Sequence, residues 1–406
     1  MNTRSNGGPS SGKILITGGC GFIGSNLAAH YLEKGWEVVV FDNFSRLGAE
    51  SNAAWLADRA DGRLSFEIAD VRNFGPLCKV VMGVDVVAHM AAQVAVTHSV
   101  TDPREDFEIN ALGGFNVLEA VRACGADPVV IYASTNKVYG ELEGVDFVEK
   151  EKRYEYREHE QGISESFPID FHSPYGCSKG SLDLYMLDYA RIYGLKTVVF
   201  RQSCIYGPRQ FGVEDQGWVA HFVISALMGQ PLTIYGDGKQ VRDILHVRDL
   251  ISATEAAIEH IDVCQGKAYN IGGGPNNTLS LLELIDQLQA KLGHPVPLSF
   301  EDWRPGDQKV YFSDIRKAER DLGWTPQIGV GVGLADLRQW VSANSELFEH
   351  SELFGLQPEP SLASDETLPT RPVREDRATP LPSLSEAESK ARRVRSITGS
   401  LKEIVE

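Results

Sequence analysis

Lys13-Ile-Leu-Ile-Thr-Gly-Gly-Cys-Gly-Phe-Ile-Gly24 is the stretch from which the rest of this chain can be read. A short aliphatic run ends in glycines at 18, 19, 21 and 24, and an amphipathic segment follows. That order predicts a strand, a tight turn and a helix. Working outward, the runs EVVVFD (37–42), LSFEIAD (64–70), VDVVAHM (84–90) and PVVIYAS (128–134) alternate with helical stretches. Their nearly unbroken apolar character suits strands buried on both faces of a parallel sheet. The alternation predicts a doubly wound α/β fold.

Gly18, Gly21 and Gly24 stand at G-x-x-G-x-x-G spacing between that strand and that helix. Glycine there permits the turn, lets a pyrophosphate approach the backbone and brings helix against strand. The helix N-terminus, with the amides of Gly21, Phe22 and Ile23, offers donors to phosphate. The second strand ends at Asp42, followed by Asn43. A carboxylate there accepts both ribose hydroxyls and repels a 2′-phosphate, so NAD is expected over NADP, with Arg46 nearby as the one opposing sign. Asp70-Val71 and Ala91-Ala92-Gln93 close the next strands and join the expected cofactor set. The fold expected for residues 13–204 is therefore a Rossmann domain.

Composition narrows the function. A net charge of −17 leaves no basic face for nucleic acid, so an anionic ligand has to be held by local donors. No apolar run reaches the ~18 residues of a membrane span. Cys20, Cys78, Cys124, Cys177, Cys204 and Cys264 are scattered, without C-x-x-C or histidines at zinc spacing. They read as thiols of a reducing compartment, the cytoplasm, and neither metal nor disulfide is expected. Residues 1–12 are small and polar and read as an unstructured leader with no apolar h-region. Residues 141–166 are too long and charged for an ordinary connection and read as a flap near the active site. Residues 205–344 read mainly as a smaller substrate-binding lobe. Residues 345–406, rich in Pro, Ser and acidic residues, read as a disordered tail whose last stretch, ARRVRSITGSLKEIV, could become helical only on a partner.

Tyr175-Gly-Cys-Ser-Lys179 carries the chemistry. Residues i and i+4 share a helix face, so phenol and ammonium enter the same space. A tyrosine ordinarily loses its proton near pH ~10, and adjacent positive charge is expected to lower that value. The segment follows a strand ending Ala133-Ser134-Thr135.

Over about residues 13–340 these features resemble the extended short-chain dehydrogenase/reductases, in their NAD-dependent epimerase/dehydratase branch. The resemblance implies that Thr135 bonds the reacting oxygen, Tyr175 is the acid/base, Lys179 holds the nicotinamide ribose and tunes the tyrosine, and Asn110 is structural. Dehydratases of this family carry an acidic pair directly after the matching Ser/Thr, whereas this chain has Asn136-Lys137. Ser134–Gly140, Asp170–Gly180, Arg209–Phe211, Asp215–Val219 and Gln93–Val96 with Ser99 are similar to the subgroup that inverts carbon 2 of a CDP-linked dideoxyhexose. Val241-Arg242-Asp243 and Arg304-Pro-Gly-Asp307 resemble segments that bind the nucleotide's pyrophosphate and ribose. The expected substrate contacts are Asn136, Gln202, Gln216, Arg242, Arg304 and Asp307. Trp218 and Trp303 are expected to pack, and His172 to be structural more than catalytic. The resemblance also implies a homodimer through the long helices. A UDP-sugar 4-epimerase and a catalytically silent NAD-binding regulator stay open as alternatives.

Overall fold

The computed structural model describes residues 11–349 apart from 126, 305 and 306. Residues 1–10 of the expected leader and 350–406 of the expected tail lie outside the described residues, as does the stretch ARRVRSITGSLKEIV. Among the described residues, seven parallel strands form the main sheet: β1 (Lys13–Thr17), β2 (Glu37–Asp42), β3 (Leu64–Ile68), β4 (Val86–His89), β5 (Val129–Thr135), β8 (Lys196–Gln202) and β12 (Lys267–Ile271). Their spatial order is β12-β8-β5-β4-β1-β2-β3. The chain reverses direction across the sheet between β1 and β4, which leaves a crevice beyond their C-terminal ends.

Strand pleating divides the core in two. Ile14, Ile16, Val38, Val40, Val86, Ala88 and Ile131 face one side, against Leu27, Tyr31, Leu56, Leu250 and Trp324. Leu15, Val39, Val87, Val130 and Val199 face the other, against Leu77, Val117, Val121, Leu182 and Met186. Period-2 alternation therefore exists inside runs that look uniformly apolar, because both faces are covered.

Helix Ser173–Tyr193 begins with Pro174 in its first turn, where a missing amide costs nothing, and stops at Gly194 in the left-handed region. A single Leu182 side chain from this helix occupies the space a Cβ on Gly114 would need, 1.8 Å from its Cδ2. This close approach locks the helix against Gly113–Ala123.

The boundary expected at residue 204 is not a clean one. The edge strand β12 comes from the second half of the sequence, and Val247–Glu259 and Arg316–Leu322 pack beneath the main sheet. The second half is built on β11 (Val241–His246), which pairs with β9 (Cys204–Tyr206), β13 (Thr278–Ser280) and β15 (Val310–Tyr311). A separate parallel pair joins β10 (Leu232–Tyr235) to β14 (Leu298–Glu301).

The segment expected as a flap is instead a docked hairpin of β6 (Phe147–Glu149) and β7 (Tyr154–Tyr156). The Tyr154 amide donates to Lys239 O at 2.9 Å, the Tyr156 hydroxyl donates to Val310 O at 2.9 Å, and Arg153 pairs with Glu283 at 3.1 Å. Those partners replace the water a free flap would need for its backbone. Order also runs past the expected limit of 344. A short helix spans Glu346–Glu349, and the buried Phe348 ring packs on Phe211 and Trp340 at 5.6 Å from each.

Candidate active site

The crevice beyond β1 and β4 holds a cleft of about 450 Å³. Gly18, Gly21, Phe22, Ile23, Asp42, Asn43, Asp70, Val71, Ala91, Ala92 and Gln93 all line it, so the expected cofactor set from β1 to β4 converges in one place. Gly18 has φ +66°, and a Cβ on Gly24 would lie 2.2 Å from the Gly18 carbonyl oxygen. The glycines are thus required by the backbone itself. Gly21 caps helix Phe22–Glu33 without any side-chain bond to its first amides, which leaves them available to an anion.

Asp42 is buried, and its carboxylate accepts the amides of Cys20 (2.9 Å) and Phe44 (2.8 Å). Burial nonetheless pushes its pKa up, against the pull of those amides. Asn43 donates to Asp70 at 2.8 Å, and Arg72 grips the same carboxylate through two bonds of 2.9 and 2.8 Å. The cradle, the bare helix terminus and the oriented carboxylate together fit NAD.

Thr135, Tyr175 and Lys179 are not in the lining of this cleft and come together at the end of β5. The Tyr175 phenol is hydrogen-bonded with the Thr135 side chain. The Lys179 ammonium donates to Ala133 O at 2.6 Å and lies 4.5 Å over the Tyr132 ring. Ser99 accepts the Tyr175 amide at 3.2 Å. Asn110, in a π-helical turn Glu108–Leu112, accepts the Gln93 amide at 2.9 Å and donates to its carbonyl at 3.0 Å. Asn110 also donates to Ser178 on the Tyr-Lys helix at 3.2 Å, and so links the cofactor cleft to that helix.

The expected lowering of the tyrosine does not arise within the chain alone. Burial pushes Tyr175 up to about 12, opposed by the Thr135 bond and reinforced by Asp106. Burial also pulls Lys179 down to about 7, opposed by Asp106 and Asp183. A lysine whose charged form is disfavoured by burial is a weaker partner for a phenolate, so the ligand's own charge is needed to complete the activation.

The expected substrate residues separate into groups. Gln202 ends β8 directly opposite Thr135, and its buried amide nitrogen has no partner among the described residues. Asn136 is buried beside Thr135, whose hydroxyl approaches it at 3.5 Å. Arg242 donates to Asp307 at 2.6 Å, and Lys137 stands 3.8 Å from the same carboxylate. Arg304 pairs with Asp215 at 3.0 Å and stacks 3.9 Å over the Tyr235 ring. Gln216 is the exception: it lines the cofactor cleft and accepts a hydrogen bond from Arg46. Residues 209–216 cross back over that cleft, so Gln216 sits with the cofactor set.

Trp218 packs as expected, with its indole nitrogen 3.3 Å from Cys204 Sγ. His172 is held at the surface by Asp170 (2.9 Å) and Glu141 (3.3 Å). Sequence reasoning missed His89, Asp106 and Ser178. His89 bonds the Thr17 hydroxyl at 2.7 Å and stacks on Tyr132. Asp106 had one available signal: it lies four residues before Asn110, on the same face.

The model of the family described as GDP-mannose 4,6 dehydratase matches residues 15–337. The chain belongs to this family of NAD-dependent epimerases and dehydratases. One member, the CDP-paratose 2-epimerase of Salmonella typhi, is 45% identical over 338 residues, covering 82% of this chain and 99% of the relative. A putative UDP-glucose 4-epimerase of Methanocaldococcus jannaschii is 32% identical over 82% of this chain and 99% of its own length. Among solved members, DesIV, a dTDP-glucose 4,6-dehydratase from Streptomyces venezuelae with NAD and TYD bound, superposes with a TM-score of 0.72. It is 30% identical over 83% of this chain and 99% of that one. The doubly wound sheet is thus the family's fold, and NAD is its cofactor.

Proposed function

We propose that this family member is an NAD-dependent epimerase of a nucleotide-diphosphate sugar, inverting carbon 2 of CDP-paratose to give CDP-tyvelose, or of a related CDP-hexose. The observation that carries this reading is the end-to-end similarity to a CDP-paratose 2-epimerase. The site geometry agrees with it. Dehydration needs its own acid and base after Thr135, and that place is taken by Asn136 and by Lys137, whose ammonium faces Asp307.

NAD, when bound, supplies the hydride acceptor and donor. Tyr175 takes the proton of the carbon-2 hydroxyl as the ketone forms, and returns it to that same oxygen when the turned 2-keto sugar is reduced on its opposite face. Thr135 fixes the reacting oxygen, and Lys179 holds the ribose and the charge beside the phenol. Gln202 and Asn136 offer amide groups to the sugar. Arg242 and Arg304 meet the pyrophosphate through forked donors, with Asp307 orienting the first.

The protein is further proposed to work in the cytoplasm as a homodimer. All six cysteines are free, which suits a reducing compartment. No described helix is long and apolar enough to cross a membrane. Helices Pro103–Phe107 and Ser173–Tyr193, which pack on each other, keep Phe107, Leu184, Tyr185 and Ile192 exposed. An apolar surface of that kind suits a second copy.

The test is product analysis by NMR and mass spectrometry with CDP-paratose deuterated at carbon 2. Inversion with the label retained at carbon 2 is expected. Washout of the label to solvent would refute stored hydride. Inversion at carbon 4 of a UDP-sugar with carbon 2 untouched would favour the second reading, which the M. jannaschii relative supports. A silent regulator would turn over nothing, and the intact Thr135, Tyr175 and Lys179 argue against it.

A further inference from the structure

Asp106 has no contact with solvent, yet its hydrogen-bond partners are neutral. One carboxylate oxygen accepts the Ser178 hydroxyl at 2.5 Å and the other accepts the Asn110 amide at 3.0 Å. Among the described residues no cation stands within ion-pair distance of it. A buried carboxylate without a paired cation is expensive to keep, so its place in the fold needs a reason.

Its surroundings supply one. Asp106 lies on Pro103–Phe107, packed against helix Ser173–Tyr193, and its donor Ser178 immediately precedes Lys179. Burial pushes the Asp106 carboxyl up and the Lys179 ammonium down, while the bonds from Ser178 and Asn110 and the attraction between Asp106 and Lys179 work against burial and favour the ionised form of each.

The other groups facing this lysine are accounted for. Asp183, on the same helix, is spent on Arg201, which bonds both its oxygens, and on Ser134. His89, from β4, is kept neutral by burial and by Lys179 itself. Tyr132, from β5, presents its ring face and sends its hydroxyl to Lys179 O. Tyr175 shares the helix, and Asp106 raises its pKa directly. His98, beyond Asp106, is paired with Glu105 at 2.8 Å. Asp183 also favours the charged lysine, but it is neutralised by Arg201, whereas Asp106 acts on the pair without a paired cation of its own among the described residues.

We propose that Asp106 is a positioning residue for the proton of the Tyr175–Lys179 pair: its fixed negative charge, held by Ser178 and Asn110, keeps that proton on the pair at neutral pH. This rests on reading Tyr175 and Lys179 as the acid/base pair. Removing the charge weakens proton binding at both groups, so the direction does not depend on which of them titrates first.

The experiment is Asp106→Asn in enzyme retaining NAD, with phenolate followed by near-ultraviolet absorbance against a Tyr175→Phe blank and turnover followed across pH. The Tyr175 phenolate transition and the pH profile of turnover are both expected to move down by about one pH unit, a tenfold change in proton affinity. Asp106→Glu, which keeps the charge, is expected to restore the titration even if the rate stays low. Asp106→Ser also lacks the charge and carries the same expectation if the amide does not fold. Ser178→Ala removes a hydrogen bond but no charge, and is expected to lower the rate with a much smaller shift. A rate reduced equally at every pH in Asp106→Asn, or an equal shift in Ser178→Ala, would overturn the proposal. The titration is read on the pair itself, so a failure of the carbon-2 assignment would leave this result standing.

Discussion

The Lys179 ammonium donates to the carbonyl of Ala133 at 2.6 Å, two residues before Thr135 on the same strand. This bond fixes the lysine to β5 and sets helix Ser173–Tyr193 against the strand end that carries Thr135. Tyr175, one turn earlier on that helix, is thereby brought to the Thr135 hydroxyl.

Tyr175→Phe keeps the ring in its buried slot and removes only the phenol. Turnover of the nucleotide sugar is expected to fall by ~10² or more while bound NAD and melting temperature persist. Near-full turnover in this variant would mean that another group moves the proton.

Purified protein is expected to carry NAD(H) without addition, since an epimerase that released the reduced cofactor would strand its ketone. Gly24→Ala tests the cradle. Its Cβ would fall 2.2 Å from the Gly18 carbonyl oxygen, so the turn has to open and the bound nucleotide is expected to be lost. Chromatography of nucleotide released on denaturation measures it. Full occupancy in the variant would show that the glycine is not needed.

His89 makes stability depend on acid. Burial holds its pKa down to about 3 in the folded protein, whereas an ordinary histidine takes a proton near 6.5. Between those values the unfolded chain binds the extra proton, so stability falls as pH drops through the window. The loss is on the order of 5 kcal/mol if the full shift is expressed. Urea unfolding of His89→Gln at pH 7 and pH 4 is expected to show a smaller difference than the wild type does.

Phe348 closes a ring cluster with Phe211 and Trp340, and Phe211 lines the cofactor cleft. Phe348→Ala is expected to cost about 3 kcal/mol and to loosen retained NAD. Removing residues 351–406 is expected to leave both nearly unchanged. Calorimetry and nucleotide content separate the two cases, and equal losses would mean that the last residues also support the body.

Local order along the chain was enough to specify the sheet, the glycine turn and the Tyr175–Lys179 face, because each depends on near neighbours. Four of the five apolar runs became strands covered on both faces, and the third, Leu64–Ile68, became a partly exposed edge strand. Gly18, Gly21 and Gly24 are needed by a turn seven residues long. Tyr175 and Lys179 are one helical turn apart whatever else the chain does. Tertiary structure alone decided the return of Lys267–Ile271 to the sheet edge, because its run Lys-Ala-Tyr-Asn-Ile does not state which strand it will pair with. Tertiary structure also decided that 141–166 docks as a hairpin, since its partners Lys239, Glu283 and Val310 lie 85, 130 and 154 residues further along. Gln216 moved from the expected substrate set to the cofactor cleft for the same reason, through its contact with Arg46. The protonation of the pair belongs there too. A pKa depends on burial and on charges nearby in space, and Asp106 stands 69 and 73 residues before Tyr175 and Lys179 in the chain.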